Sequence, residues 1–179
     1  MYKRQPVAVN EPVLSYAPGS SEREELTNKV KELKNANLDI PMYIGGEEIR
    51  TGDKRPVAPP YAHKNTIAHY HYGTKEHVQK AIDSALAARE EWANLNWQSR
   101  AAIFLRAAEL VSGPYRQYLN GATMLAQSKN AFQAEIDAAC EYADFLRFNV
   151  QYMTEIYSDQ PESAPGIWNR LEYLSLIHI

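Results

Sequence analysis

From Thr74 onward the apolar residues fall at helical spacing in one stretch after another, and this limits the fold more than any other feature. Thr74 is placed to cap KEHVQKAIDSALAAREEWAN, in which Val78, Ile82, Leu86 (or Ala85) and Trp92 share one side. A second helix is predicted over 97–112, closed by Gly113-Pro114, the usual order of helix-stopping residues. A third runs over 115–127 and is weakened by Gly121; the fourth and longest runs from Asn130 to about Tyr157. Each has an apolar face that must be buried against something. What precedes Thr74 offers little to bury it against.

That earlier part opens on PGSSEREELTNKVKELK, where a Pro-Gly turn leads to Ser20 or Ser21 as N-cap, with Leu26, Val30 and Leu33 forming the stripe of a surface helix. PMYIGGEEIRTGD reads as a hairpin turning at Gly45-Gly46. KRPVAPPYAHKN reads as extended and proline-rich, and TIAHYHYGT alternates as one further strand should. SDQPESAPG is a linker or loop, WNRLEY is placed to begin another strand, and no internal repeat is visible. The residues alone therefore predict a mainly helical piece of a larger α/β protein, with a β-hairpin and one further strand, lacking most of a sheet.

Composition removes several function classes. Hydrophobic residues at 45% and charged residues at 23% are globular proportions, within a length that suits one domain. A formal net charge of -3 without a Lys/Arg cluster is not a nucleic-acid footprint. A single cysteine cannot form an intrachain disulfide. No apolar run approaches the roughly 20 residues of a membrane span, and MYKRQPVAVN lacks the apolar core of a secretory signal.

The chemistry-bearing candidates are few. NAFQAEIDAACEYADFLRFN carries Cys140 directly before Glu141. At about 100° per residue, Phe132, Ile136, Ala139, Ala143, Leu146 and Val150 share a helix face. Cys140 lies at the edge of that stripe, and Glu141 points nearly the opposite way. Adjacent helical positions do not face each other, so the pair is not arranged as nucleophile and base, and Cys140 reads as a small buried hydrophobe. Glu141 has Asp137, Phe145 and Phe148 as helical neighbours, an aromatic setting for an acid on the wet side. His63, His69, His71 and His77 form the only metal-like grouping, but no third ligand stands beside them in sequence, and no metal site is assigned. Dinucleotide, phosphate-loop, zinc-protease and nucleophile-elbow motifs are absent.

NEPVLSYAPGSSEREEL and the IGGEEIRTGD hairpin, followed by AIDSALAAREEWANLNWQSRAAIFLRAAELVSGPYR and QAEIDAACEYADFLRFNVQY, resemble the N-terminal segment of the 1-pyrroline-5-carboxylate dehydrogenases. These are the L-glutamate γ-semialdehyde dehydrogenases, a branch of the aldehyde dehydrogenases. The resemblance runs from about Val9 to Tyr173; NEPV and the EIDAA-E-x-x-DF-x-RFN pattern are its more branch-specific parts. It implies an aldehyde dehydrogenase-like α/β fold and NAD-dependent oxidation of glutamate semialdehyde to glutamate in proline breakdown, in the mitochondrial matrix in eukaryotes. It also implies a small-molecule substrate and a homo-oligomeric full-length enzyme. The chemistry it implies uses a cysteine thiolate on the aldehyde, hydride transfer to nicotinamide, and thioester hydrolysis with a glutamate base. Those groups and most NAD contacts lie downstream of the match, so no catalytic, cofactor or metal residue is carried over. Cys140 aligns with a non-catalytic helix position. Glu141 aligns with an acid at the substrate entrance and is the one site residue carried over.

On this reading 6–40 is an N-terminal segment with a surface helix, 41–73 a hairpin and strand region, and 74–173 the helical start of an NAD-binding domain. Residues 1–5 (MYKRQ) and 174–179 (LSLIHI) depart from the family pattern and are expected to be non-native ends of a fragment that is inactive by itself. Two other readings stay open: an aldehyde dehydrogenase of different substrate, and a non-catalytic helical interaction module.

Overall fold

The computed structural model describes residues 7–172; the non-native ends expected from the sequence lie outside them. The described chain begins as an extended strap and then forms α1 (Ser21–Asn35), whose N-cap is Ser20, its Oγ accepting from the Arg23 N–H at 3.4 Å. Five short strands follow: β1 (Leu38–Ile40), β2 (Met42–Ile44), β3 (Glu47–Ile49), β4 (Lys54–Val57) and β5 (Ala68–His71). The helical part comprises α2 (Lys75–Asn94), α3 (Trp97–Ser112), α4 (Arg116–Gln127), the single turn α5 (Ala131–Ala134), a π-turn (Glu135–Cys140) and α6 (Glu141–Ser158).

The hairpin pairs β2 with β3 as its sequence indicates, Ile44 opposite Glu47. Gly45 and Gly46 have φ of +62° and +83°, the positive values that a two-residue turn needs to follow strand twist. The expectation of one further strand is too low. β5 is the centre of a three-stranded sheet in the order β1-β5-β4, parallel to β1 and antiparallel to β4. β1 and β4 are three and four residues long, and their partner is distant in sequence, so no local pattern reveals them. Pro56 sits on an edge strand, where its missing N–H breaks no internal ladder. The expected strand in WNRLEY is not formed over 168–172, which have no pairing partner among the described residues; Tyr173 lies outside them.

α1, α4 and the sheet meet over Leu33, Ile67 and Leu125, with Val30, Leu38, Val57 and Ala122 packed around them. Gly121, a liability for helix propensity, is what lets α1 approach. A Cβ there would lie 3.1 Å from Leu33 Cδ1 and 3.5 Å from Val30 Cγ2. α3 and α6 lie along each other, burying Ala101, Ala108, Ala143 and Val150.

The predicted unbroken helix from Asn130 is corrected here. Residues Glu135–Cys140 form a π-turn, in which the Glu141 N–H reaches back five residues to the Ile136 carbonyl. The wide turn changes which residues face inward. Phe132 and Ile136, expected on the buried stripe, are exposed, while Ala134 and Glu135 are fully buried. Ala139, near the end of the turn, is buried, and beyond the turn Ala143 and Val150 of the expected stripe are buried while Leu146 is half-buried.

Candidate functional site

The strap residues preceding α1 have no regular secondary structure, so their backbone groups need partners elsewhere. They find them on the π-turn and α6. The Ala8 N–H donates to Gln151 Oε1 at 2.8 Å and the Glu11 N–H to Asp144 Oδ1 at 2.6 Å. The Asn10 side-chain amide donates to Asp144 Oδ2 at 2.7 Å, and the Leu14 N–H to Glu135 Oε1 at 2.8 Å. The strap's NEPV and the pattern beginning at Glu135, two stretches separate in the sequence, thus form a single interface.

Beneath this interface lies a charged cluster. Glu135 is fully buried, and Arg116 from the first turn of α4 is 6% exposed. Arg116 donates to Glu135 through Nε at 3.1 Å and through a terminal nitrogen, and to Glu11 Oε1 at 2.6 Å. Glu11 also accepts from Arg147 of α6 at 2.7 Å, so two cations face two anions. Tyr16 donates its hydroxyl proton to Glu135 at 2.7 Å, and Asn120 donates to Glu135 at 2.7 Å and to the Tyr16 oxygen at 3.0 Å.

The cluster sets its members' protonation. Burial opposes the charged form of Glu135, but hydrogen bonds from Arg116, the Leu14 N–H, Tyr16 and Asn120 outweigh it and hold the carboxyl below its usual range. Burial, and then the hydrogen bond to the Glu135 carboxylate, pushes the Tyr16 hydroxyl up to about 12. Burial also raises the Cys140 thiol to about 11, with the Glu135 charge adding to it. Cys140 Sγ lies 3.6 Å from Glu135 Oε1 and 3.4 Å from an Arg116 nitrogen. A thiol so buried and so weakly acidic is not a nucleophile poised to react.

Above the cluster is an open cleft of about 660 Å³, bounded by the strap at Asn10, Glu11 and Val13 and by Glu141, Phe145 and Phe148 of α6, with Ile136 and Cys140 at its floor. The face singled out by the sequence is therefore the wall of a cavity. Glu11 and Asp144 both line it with their charges already engaged. Glu141 is exposed, and its carboxylate makes no hydrogen bond or ion pair with any described residue. The cleft offers one unmatched negative charge beside aromatic rings.

The remaining sequence candidates do not join this site. His71 turns inward on β5, its Nδ1 2.7 Å from the Thr51 nitrogen and its Nε2 3.2 Å from Asp39. Lys54, then His71, hold Asp39 well below the usual carboxylate range. His77 accepts from the Thr74 N–H at 3.1 Å at the start of α2. No group of three metal-ligating side chains gathers among the described residues. Sequence reasoning missed Arg116, Asn120, Tyr16 and Glu135. No local signal marks them: Arg116 and Asn120 stand four apart on one side of α4, turned away from Leu125, and read as an ordinary polar face.

Comparison with known proteins follows the same outline. The aldehyde dehydrogenase family profile matches residues 49–175. A delta-1-pyrroline-5-carboxylate dehydrogenase from Agaricus bisporus is 48% identical over 177 residues, 98% of this chain and 32% of the relative. The mitochondrial enzyme of that name from Dictyostelium discoideum is 41% identical over 172 residues, 96% of this chain and 31% of the relative. The crystal structure of the Mycobacterium tuberculosis Delta-pyrroline-5-carboxylate dehydrogenase bound with NAD superposes with a TM-score of 0.93 at 42% identity, over 97% of this chain and 32% of that one. The chain spans about a third of the length of the relatives it matches.

Proposed function

Because the chain belongs to the aldehyde dehydrogenase family, we propose that the protein acts as an NAD-dependent dehydrogenase oxidising L-glutamate γ-semialdehyde, the open form of 1-pyrroline-5-carboxylate, to L-glutamate in proline breakdown. The observation that carries this reading is the likeness to the NAD-bound Mycobacterium tuberculosis enzyme, which joins a TM-score of 0.93 to 42% identity. The Dictyostelium discoideum relative is named mitochondrial, which supports a mitochondrial protein of the matrix. A homo-oligomeric enzyme, with residues 74–173 opening its NAD-binding domain, completes the reading.

The described residues supply a substrate entrance and not the reacting groups. NAD, when bound, accepts the hydride. Among the described residues no glycine-rich turn leads from a strand into a helix, and the cleft lined by Glu11, Glu141 and Asp144 would repel a pyrophosphate. These residues do not fit the cofactor by themselves. They suit the other end of the substrate. Glu141 attracts the ammonium of the semialdehyde, Phe145 and Phe148 pack its carbon chain, and the aldehyde is left pointing away from the mouth.

Replacing the matching third of the Agaricus bisporus relative with residues 7–172 of this chain tests the reading. The chimera should form NADH from the semialdehyde. A folded, NAD-binding chimera that oxidises only simple aldehydes would refute the substrate. Within the chimera, Glu141→Ala should lower kcat/KM for the semialdehyde by about 5- to 150-fold, and by less for an uncharged aldehyde. Equal losses would return Glu141 to a scaffold role.

A further inference from the structure

The π-turn brings Cys140, which lines the cleft, and Glu135, buried beneath it, together, their Sγ and Oε1 3.6 Å apart. In a regular α-helix, residues five apart are turned about 140° from each other, and the two side chains would not meet. Something must therefore hold the extra residue in place. α6 has its register fixed by Ala143 and Val150 packed on α3 and by the Asp144 bonds to the strap. α5 and Glu135 have theirs fixed from the other side. Arg116 and Asn120 of α4, together with Leu14 and Tyr16 of the strap, all donate to the Glu135 carboxylate. The π-turn lies between these two anchorages, and Glu141 is the residue whose N–H closes it.

We infer that Glu135 is a positioning residue for substrate recognition: anchored by Arg116, it holds the wide turn that keeps Glu141 and the floor residues Ile136 and Cys140 facing the cleft. This inference rests on the entrance role of Glu141 stated above. It assigns a functional task to a carboxylate that is fully buried and touches no substrate. It also explains why that carboxylate is a Glu held by four different residues instead of an apolar side chain. A helix seam needs no buried ion pair for stability, since well-packed apolar residues serve as well. An ion pair of fixed geometry does specify a register.

A double-mutant cycle in the chimera tests it, reading the preference for semialdehyde over an uncharged aldehyde as a ratio of kcat/KM values. Glu135→Gln should raise KM for the semialdehyde by about 10-fold while kcat changes by less than about 3-fold, and the preference should fall accordingly. In a Glu141→Ala background the same change should alter the preference by less than about 2-fold, because its effect runs through Glu141. Tyr16→Phe removes one donor to Glu135 without removing the charge, and serves if Glu135→Gln fails to fold. It should shift the preference in the same direction by about 2- to 3-fold. Additive effects of Glu135→Gln or Tyr16→Phe with Glu141→Ala, or equal losses for both aldehydes, overturn the inference and leave the entrance reading standing. A Glu141→Ala chimera of unchanged preference overturns both.

Discussion

Glu11, Arg116, Glu135 and Arg147 meet along the seam between the strap, α4 and α6, each with a counter-charge within hydrogen-bond reach, whereas Val78, Ile82 and Leu86 along α2 stay about half exposed. α2 has no buried residue at all; Val78 is 60% exposed and Leu86 51%. Both regions are helical, and both follow from the same 3.6-residue period. They differ in what specifies them. The seam is directional: each bond permits one register and one depth, and the buried charges would be costly if any partner moved. The α2 face is non-directional. It gains from any apolar surface laid on it and selects none.

The sharpest way to break this comparison is to remove one charge from the seam. Glu135→Ala takes from buried Arg116 its fully buried counter-charge and leaves it Glu11 alone, at a cost of about 3–5 kcal/mol. Amide hydrogen exchange of the full chain should show protection in α4 and α6 falling by roughly two to four orders of magnitude, or loss of helical circular dichroism altogether. A drop of less than about 10-fold would mean the cluster is decorative and the seam is held by packing alone.

Titration sharpens the contrast, because the seam has buried groups to titrate and α2 has none. Tyr16 and Cys140 hold their protons more tightly in the fold than in the unfolded chain, Tyr16 at about 12 against 10.0 and Cys140 at about 11 against 9.0. The stability they contribute is complete below pH 9 and is lost as pH rises through these values, a change on the order of a few kcal/mol. Glu135 behaves oppositely. Its carboxyl is held below the usual range, so its contribution is present above pH 4.5 and is lost as acid protonates it. Exchange protection of α4 should therefore decline at both ends while α2 stays level; parallel curves for the two helices would remove the distinction.

Legibility in the sequence divides along the same line. α3 is readable to the residue, Trp97–Ser112, because an apolar period and a Gly-Pro stop are both local signals. The β2–β3 hairpin is readable from Gly45-Gly46 for the same reason. β1 and β4 are not, since each depends on β5, which is distant in sequence. The charged cluster is the least legible part. Glu135 and Arg116 look like solvated residues until α4 and the strap are brought together, and the π-turn that buries Glu135 breaks the very period used to read that helix. Glu141 and its aromatic neighbours are visible because they lie on one continuous helix, α6, beyond the irregular turn.

A smaller effect is expected at Cys140. It is 4% exposed, and its sulfur contacts Arg116 and Glu135 only weakly, at 3.4 and 3.6 Å. Cys140→Ala removes a buried sulfur but no strong hydrogen bond, so exchange protection around the π-turn should fall by about 1 kcal/mol. Turnover of the chimera should stay within about 3-fold. A loss of several orders of magnitude in a folded protein would restore the thiol as a reacting group, against the burial and raised pKa described above.

The least effect on stability should come from the apolar face, and that makes it the most informative control. Ile82 is 47% exposed and lies between Val78 and Leu86 on α2. Ile82→Ser deletes apolar surface that the fold does not bury, so protection in α2 should change by no more than about 0.5 kcal/mol. What should change is behaviour that depends on exposed apolar area. The 179-residue chain is expected to be helical by circular dichroism yet to bind a hydrophobic dye and to aggregate, and Ile82→Ser should reduce both. The seam variants should not reduce either. If Ile82→Ser instead destabilises α2 as much as Glu135→Ala destabilises α4, then the α2 face is already packed against something, and the two regions are not different in kind. A sharp, cooperative melt of a soluble monomer that binds no dye would erase the difference from the other direction, and would favour a free-standing helical module over a surface awaiting a sheet.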